Sequence, residues 1–193
     1  MKELYENIGR ALQVPPAHIY AIATVESQGE FEIGGGKITI LLERHWVYKL
    51  SVRKFGRTRA NRFAKLYPDI CNRVSGGYGK YRDQYNRLAK TIKYVDKEVA
   101  HQATSFGAYQ IMGFNFKDAG YHSATGMAKA YHDDPMVAQV ESFMMFLTNY
   151  KHGRALTALQ RGDFHAFAKL YNGPTYKKNR YAVRIKAAVR NYA

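Results

Sequence analysis

Segment after segment of this chain repeats its apolar residues at intervals of three and four, and that spacing commits most of it to helices packed by one face. Leu4, Ile8, Ala11 and Leu12 mark such a face over residues 1–13. Pro16 suits the first turn of a second helix and Gly29 its C-terminal cap, with Ile19, Ile22, Ala23 and Glu26 on one side. Two basic helices are predicted over 44–52 and 58–66, ahead of Pro68 and the loop VSGGYGK. A long helix is predicted over 81–103, where Tyr85, Leu88, Ile92, Val95 and Val99 keep the period. Asp134 before Pro135 opens another, expected to be central, with Val137, Val140, Met144 and Leu147 as its core face. Asp163 caps a shorter helix that Gly173 and Pro174 stop, and a basic terminal helix is predicted over 178–192.

Only FEIGGGKITI breaks this pattern, alternating apolar and polar positions around a triple glycine, which reads as a small hairpin or β-ribbon after the second helix. The glycine-bearing segment TSFGAYQIMGFNF reads as an interruption between helices. The expected class is therefore mainly α, of the α+β kind. With no internal repeat, linker or composition break, residues 1–193 are expected to form one domain. No apolar run approaches the roughly 18 residues of a membrane span. The start, MKELYENIGRALQ, is amphipathic and carries acidic residues, so no signal peptide is expected.

The lone Cys71 excludes an intramolecular disulfide and is expected to pack as a small hydrophobe. Charge says more. Thirty Lys and Arg against fifteen Asp and Glu leave +15, so the chain should seek polyanions. Nucleic acid, anionic wall polymers and outer-membrane phosphates all qualify, and charge does not choose among them. In the nucleic-acid reading, Arg and Lys would contact phosphates and the 16 tyrosines would stack on bases.

Glu26 is the informative carboxylate, because it lies on the apolar side of its helix while Glu30 and Glu32 follow in a more polar stretch. Burial and the negative end of the helix dipole would both raise its pKa. A carboxylic acid protonated near neutrality is what glycoside hydrolysis needs to protonate a leaving oxygen. Spacing alone favours the plainer reading of a helix-end glutamate paired with an arginine. Glu43 is a candidate second carboxylate, as base or electrostatic stabiliser, or a structural partner of Arg44 or His45. His45 has no second ligand at metal-binding spacing, so no metal and no cofactor are expected.

Four ordered motifs change the weighing. VESQG resembles the glutamate-serine-x-glycine signature of goose-type lysozymes and lytic transglycosylases, and GAYQIM and KLYNGP resemble two further segments of that superfamily. More closely, IATVESQG, ILLERH, SFGAYQIMGFN and YNGP resemble the phage endolysin N-acetylmuramidase family, with SFG for its usual SWG and LLERH for its LFERH. The likeness runs from about Ala21 to Tyr181.

The resemblance implies a lysozyme-like helical domain that cuts peptidoglycan between N-acetylmuramic acid and N-acetylglucosamine, with Glu26 as general acid. Ser27 would support the loop or a substrate hydrogen bond. Phe106 would offer an aromatic platform for sugar stacking. Gln110, Tyr171 and Asn172 would line the cleft, although Gln110 equally suits a role in tying down its own turn. Attack by the sugar's own hydroxyl, as in a lytic transglycosylase, would use the same residues. A monomer is expected, made in a host cytoplasm and acting on the wall from the periplasm. Lys178, Arg180, Arg184, Lys186 and Arg190, interleaved with Ala182, Ile185, Val189 and Tyr192, suggest a further contact with anionic lipid or lipopolysaccharide, or else a solvated helix packed on the domain.

Overall fold

The computed structural model describes residues 1–192. It opens with helices α1 (Lys2–Leu12) and α2 (Pro16–Ser27), then strand β1 (Ile40–Leu42) and the helices α3 (Arg44–Phe55), α4 (Arg57–Leu66), α5 (Gln84–Tyr94) and α6 (Lys97–Gln102). Strands β2 (Thr104–Phe106) and β3 (Ile111–Met112) follow, and then α7 (Ala124–Asp133), α8 (Pro135–Asn149), α9 (Arg154–Gln160), α10 (Phe164–Asn172) and α11 (Tyr181–Val189).

Local capping chemistry sets many of these bounds. Asp134 accepts from Val137 N and Asp163 from Ala166 N, each satisfying a first-turn amide that the helix itself leaves without a partner. The helix predicted over 81–103 is two helices. Asp96 lies in extended backbone and its side chain accepts from Val99 N, so the chain starts a new helix there although the apolar period runs on through Val95 and Val99. Gln28 rather than Gly29 takes the left-handed cap of α2, and the Gly29 N–H returns to Ala23 O. In α8 the core face is Ala138, Phe143, Phe146 and Leu147, while Val137 is exposed.

The predicted ribbon is not a self-paired hairpin. Its glycines make a tight turn, with Ile33 N bonded to Lys37 O, and only Ile40–Leu42 becomes a strand. That strand pairs antiparallel with β2, Ile40 opposite Phe106 and Leu42 opposite Thr104, and β2 pairs with β3. The segment read as an interruption therefore supplies two of the three strands. Gly113, just past β3, allows this close packing: any Cβ there would collide with the His101 carbonyl of α6.

Two hydrophobic clusters result. The larger joins α1, α2 and α7–α11 with one face of the sheet, and the smaller holds α3–α6 around Leu42, Val47, Leu50, Phe63 and the buried Cys71. The sheet bridges them along its length, because Ile40 and Leu42, on the same face of β1, enter different clusters, Ile40 the larger and Leu42 the smaller. Arg87, on α5, braces β1 from the side of the smaller cluster. Its buried guanidinium donates to the carbonyls of Leu42, Tyr78 and Asp69 at 3.0, 2.7 and 2.8 Å. The terminal helix begins at Tyr181, so Lys178 and Arg180 precede it, and its Ala182, Ile185 and Ala188 are buried in the larger cluster. The apolar residues suggested for lipid contact are thus mostly spent on the fold.

Candidate active site

Glu26 sits in the last turn of α2, a helix whose Ile19, Ala21, Ile22 and Ala23 are buried in the larger cluster. The side chain is itself partly covered, and its partners come from the far end of the chain. The Tyr181 hydroxyl, at the start of α11, donates to Glu26 Oε1. Asn172, the last residue of α10, also hydrogen-bonds the carboxylate, and the Arg184 guanidinium lies near enough to act on it while donating to Val25 O at 2.9 Å. Burial dominates this balance. It lifts the Glu26 pKa to about 7, against the opposing pull of Tyr181, Asn172 and Arg184. The group therefore holds a proton near neutrality and releases it little above.

Two hollows meet at this carboxyl. One, of about 250 Å³, is lined by Glu26, Glu43, Ser105, Gln110, Tyr171 and Asn172, among others. The second, of about 340 Å³, is lined by Glu26, Asn172, Tyr176, Asn179, Tyr181 and Arg184, with Val25 beside them. Glu26 and Asn172 belong to both, so a ligand long enough to occupy both hollows would cross the Glu26 carboxyl. Two sides of the first hollow come from different clusters, α2 bringing Glu26 and the N-terminal end of α3 bringing Glu43.

Four of the six residues singled out beside Glu26 gather here. Glu43 precedes the first residue of α3, with Oε2 3.1 Å from His45 Nδ1. Burial raises its pKa and Lys49 lowers it, while burial and Lys49 both depress the His45 pKa. Near neutrality His45 is therefore uncharged, and the contact is not an ion pair. Gln110 has a left-handed backbone, donates to Gly107 O at 2.8 Å and accepts from Ser105 Oγ at 2.7 Å, so its amide ties the β2–β3 turn while facing the hollow. Tyr171 donates to Tyr109 O at 2.7 Å and stacks on Phe167, which commits its hydroxyl to the protein and leaves its ring as wall. Asn172 remains exposed at the edge of both hollows.

Phe106 and Ser27 do not join them. Phe106 is 3% exposed and packs on Tyr131, on the face of the sheet opposite Leu41 and Ser105, because neighbours along a strand point to opposite sides. It is core, not a sugar platform. Ser27 is buried and returns its hydroxyl to Ala23 O at 3.2 Å. Two residues that the motifs did not single out for the site, Tyr181 and Arg184, complete it. They stand three apart on one face of α11, a spacing that marks a shared face but not what that face meets.

Among the described residues no group of three His, Cys, Asp or Glu side chains is placed to hold a metal ion. What the arrangement can do without one is donate a proton to an oxygen lying across the two hollows, the first requirement of glycoside cleavage. A mainly helical domain that carries such an acid on its second helix beside a small antiparallel sheet is lysozyme-like. The chain belongs to the N-acetylmuramidase family, whose model matches residues 15–193. It is similar to the crystal structure of the Burkholderia AP3 phage endolysin, with a TM-score of 0.81 and 32% identity over 100% of this chain and 71% of that one. No curated protein matches the sequence.

Proposed function

We propose that this protein is a phage endolysin that hydrolyses the β-1,4 bond between N-acetylmuramic acid and N-acetylglucosamine, with Glu26 as general acid. The observation that carries the reading is the Glu26 carboxyl, hydrogen-bonded by Tyr181 and Asn172 where the two hollows meet, with its pKa lifted to about 7 by burial. The glycan lies across both hollows, and Glu26 transfers its proton to the linking oxygen as the bond to the muramic acid carbon breaks. The sugar left behind carries oxocarbenium character, and water adds to it. Glu43, across the first hollow, orients that water or stabilises the cation. Gln110 keeps the β2–β3 turn in place, and Asn172 and the Tyr171 ring contact sugar.

The enzyme acts as a monomer on the wall, from the periplasmic side, and destroys the host's envelope. No described helix is long and apolar enough to cross a membrane. The +15 charge draws it to anionic envelope polymers, including outer-membrane phosphates. On α11 this contact is electrostatic, through exposed cations such as Lys186 and Arg190, since Ala182 and Ile185 are buried.

Mass spectrometry of the soluble fragments released from Gram-negative peptidoglycan by the wild type and by Glu26→Gln tests this reading. Fragments with reducible muramic acid ends, absent from the variant digest, are expected. Anhydro ends would instead make it a transglycosylase, and nucleic-acid affinity with no wild-type fragments would make it a binding protein.

A further inference from the structure

The two hollows at Glu26 are smaller than another among the described residues. A cavity of about 880 Å³ lies on the other side of the small sheet, within the size range of roughly 300–1,000 Å³ typical of small-molecule sites. The pleat separates the two spaces. Leu41 and Ser105 face the Glu26 side, whereas Ile40 and Phe106, their neighbours in the same strands, face this cavity. Its floor and walls are apolar, formed by Ile38, Ile40, Leu88, Phe106, Ala128 and the body of Tyr131. Four of these are 3–4% exposed. They come from the loop before β1 and from β1, α5, β2 and α7, so the space is an open-sided cleft framed by separate elements.

Its rim is cationic. Lys37 on the loop, Lys97 at the start of α6 and Lys129 on α7 stand around the opening with exposed side chains. Lys129 is engaged by Asp133, but among the described residues neither Lys37 nor Lys97 forms an ion pair, and the Lys37 ammonium lies 5.5 Å from the centre of the Tyr85 ring. Nearby carboxylates are turned to other work. Glu98 accepts from Ala124 N, Thr125 N and Thr125 Oγ1 at the head of α7, and Glu32 accepts from Gly36 N within its own loop. Because Glu98 and Ser123 already satisfy the first amides of α7, the lysines are the groups left for an anion.

The geometry points to a binding site for a monomeric medium-chain fatty acid, its alkyl chain in the cavity and its carboxylate between Lys37 and Lys97. An apolar cleft rewards an alkyl chain in proportion to the area it removes from water. A peptide in the same space would leave backbone amides without partners, and a cationic amphiphile would set its charge against the rim. The site is separate from the glycan groove, so occupancy does not require the glycan-cleaving reading to be right.

Calorimetric titration of the full chain with dodecanoate below its micellar concentration tests the assignment, with dodecyltrimethylammonium, acetate and anionic phospholipid vesicles as comparison ligands. One saturable site is expected, at least tenfold tighter for dodecanoate than for the cationic amphiphile, and with no binding of acetate. Ala128→Phe should fill the cavity and weaken dodecanoate at least tenfold while leaving fragment release from peptidoglycan unchanged. The surface pair Lys37→Glu and Lys97→Glu should weaken it about fivefold or more. If Ala128→Phe does not fold, amide shift mapping of the wild type serves instead, with perturbations expected around Ile38, Leu88 and Ala128. Equal affinity for both head groups, unchanged affinity in the variants, shifts confined to the Glu26 side, or binding to vesicles alone would overturn the site.

Discussion

The Tyr181 hydroxyl hydrogen-bonds the Glu26 carboxylate although the two residues are 155 positions apart in the chain. The bond favours the charged form of the acid, so it holds the pKa below the level that burial alone would impose. Tyr181→Phe should therefore let Glu26 keep its proton to higher pH. The alkaline limb of the pH–rate profile is expected to move up by about 0.5–1 unit, and kcat to fall by roughly tenfold as the carboxyl loses its anchor, with KM little changed. A limb that stays in place would show that the hydroxyl does not act on the acid.

Glu26 should also cost the fold stability once it ionises. Its native pKa of about 7 lies above the unfolded value of 4.5, so the native state binds the extra proton between these limits. The associated stability is complete below about pH 4.5 and is lost as pH rises through about 7. Glu26→Gln escapes that loss. Denaturant unfolding is expected to find the variant more stable than wild type by about 2 kcal/mol at pH 8, with the difference vanishing near pH 4. Equal differences at the two pH values would contradict the buried-acid assignment.

Glu43→Gln separates a chemical role from a structural one. Near neutrality His45 is uncharged, so loss of the Glu43 charge removes no ion pair. If Glu43 serves the water or the developing cation, kcat should fall about 10–100-fold with the melting temperature nearly unchanged. Full activity with a lowered melting temperature would reduce it to a support for α3.

Arg87→Met should loosen the packing of β1 on α5 and the loop before it, because three carbonyls would lose a buried charged donor. A loss of about 3 kcal/mol is expected, lowering the melting temperature by roughly 6–12 °C. Calorimetry that finds less than about 1 kcal/mol would mean that water replaces the guanidinium.

The parts of this fold that were legible in the sequence are those whose causes are local. Asp134 and Asp163 start helices through bonds three residues away, and the apolar period of α1 and α2 appears as burial. Asp96 is equally local, yet the apolar period running through it masked the break. The short helices α7 and α9 lie in segments where no strong period drew attention. The sheet was hidden for a different reason, since Ile40 meets Phe106 only through pairing across the chain, and that register decides which side of the sheet Phe106 faces. Glu26, Gln110, Tyr171 and Asn172 stood out through motifs. Tyr181 had only the start of a helix to recommend it, because its significance lies in what α2 places opposite.

That distance also bears on how the protein is made. A ribosome delivers α2 first, and the tyrosine that bonds its carboxyl follows 155 positions later. A nascent or prematurely terminated product lacks both Tyr181 and the helix that packs over α2. Translation past Tyr181 is thus a prerequisite for assembling the proposed catalytic centre, and fragments that end before it are expected to be harmless to the cell that makes them.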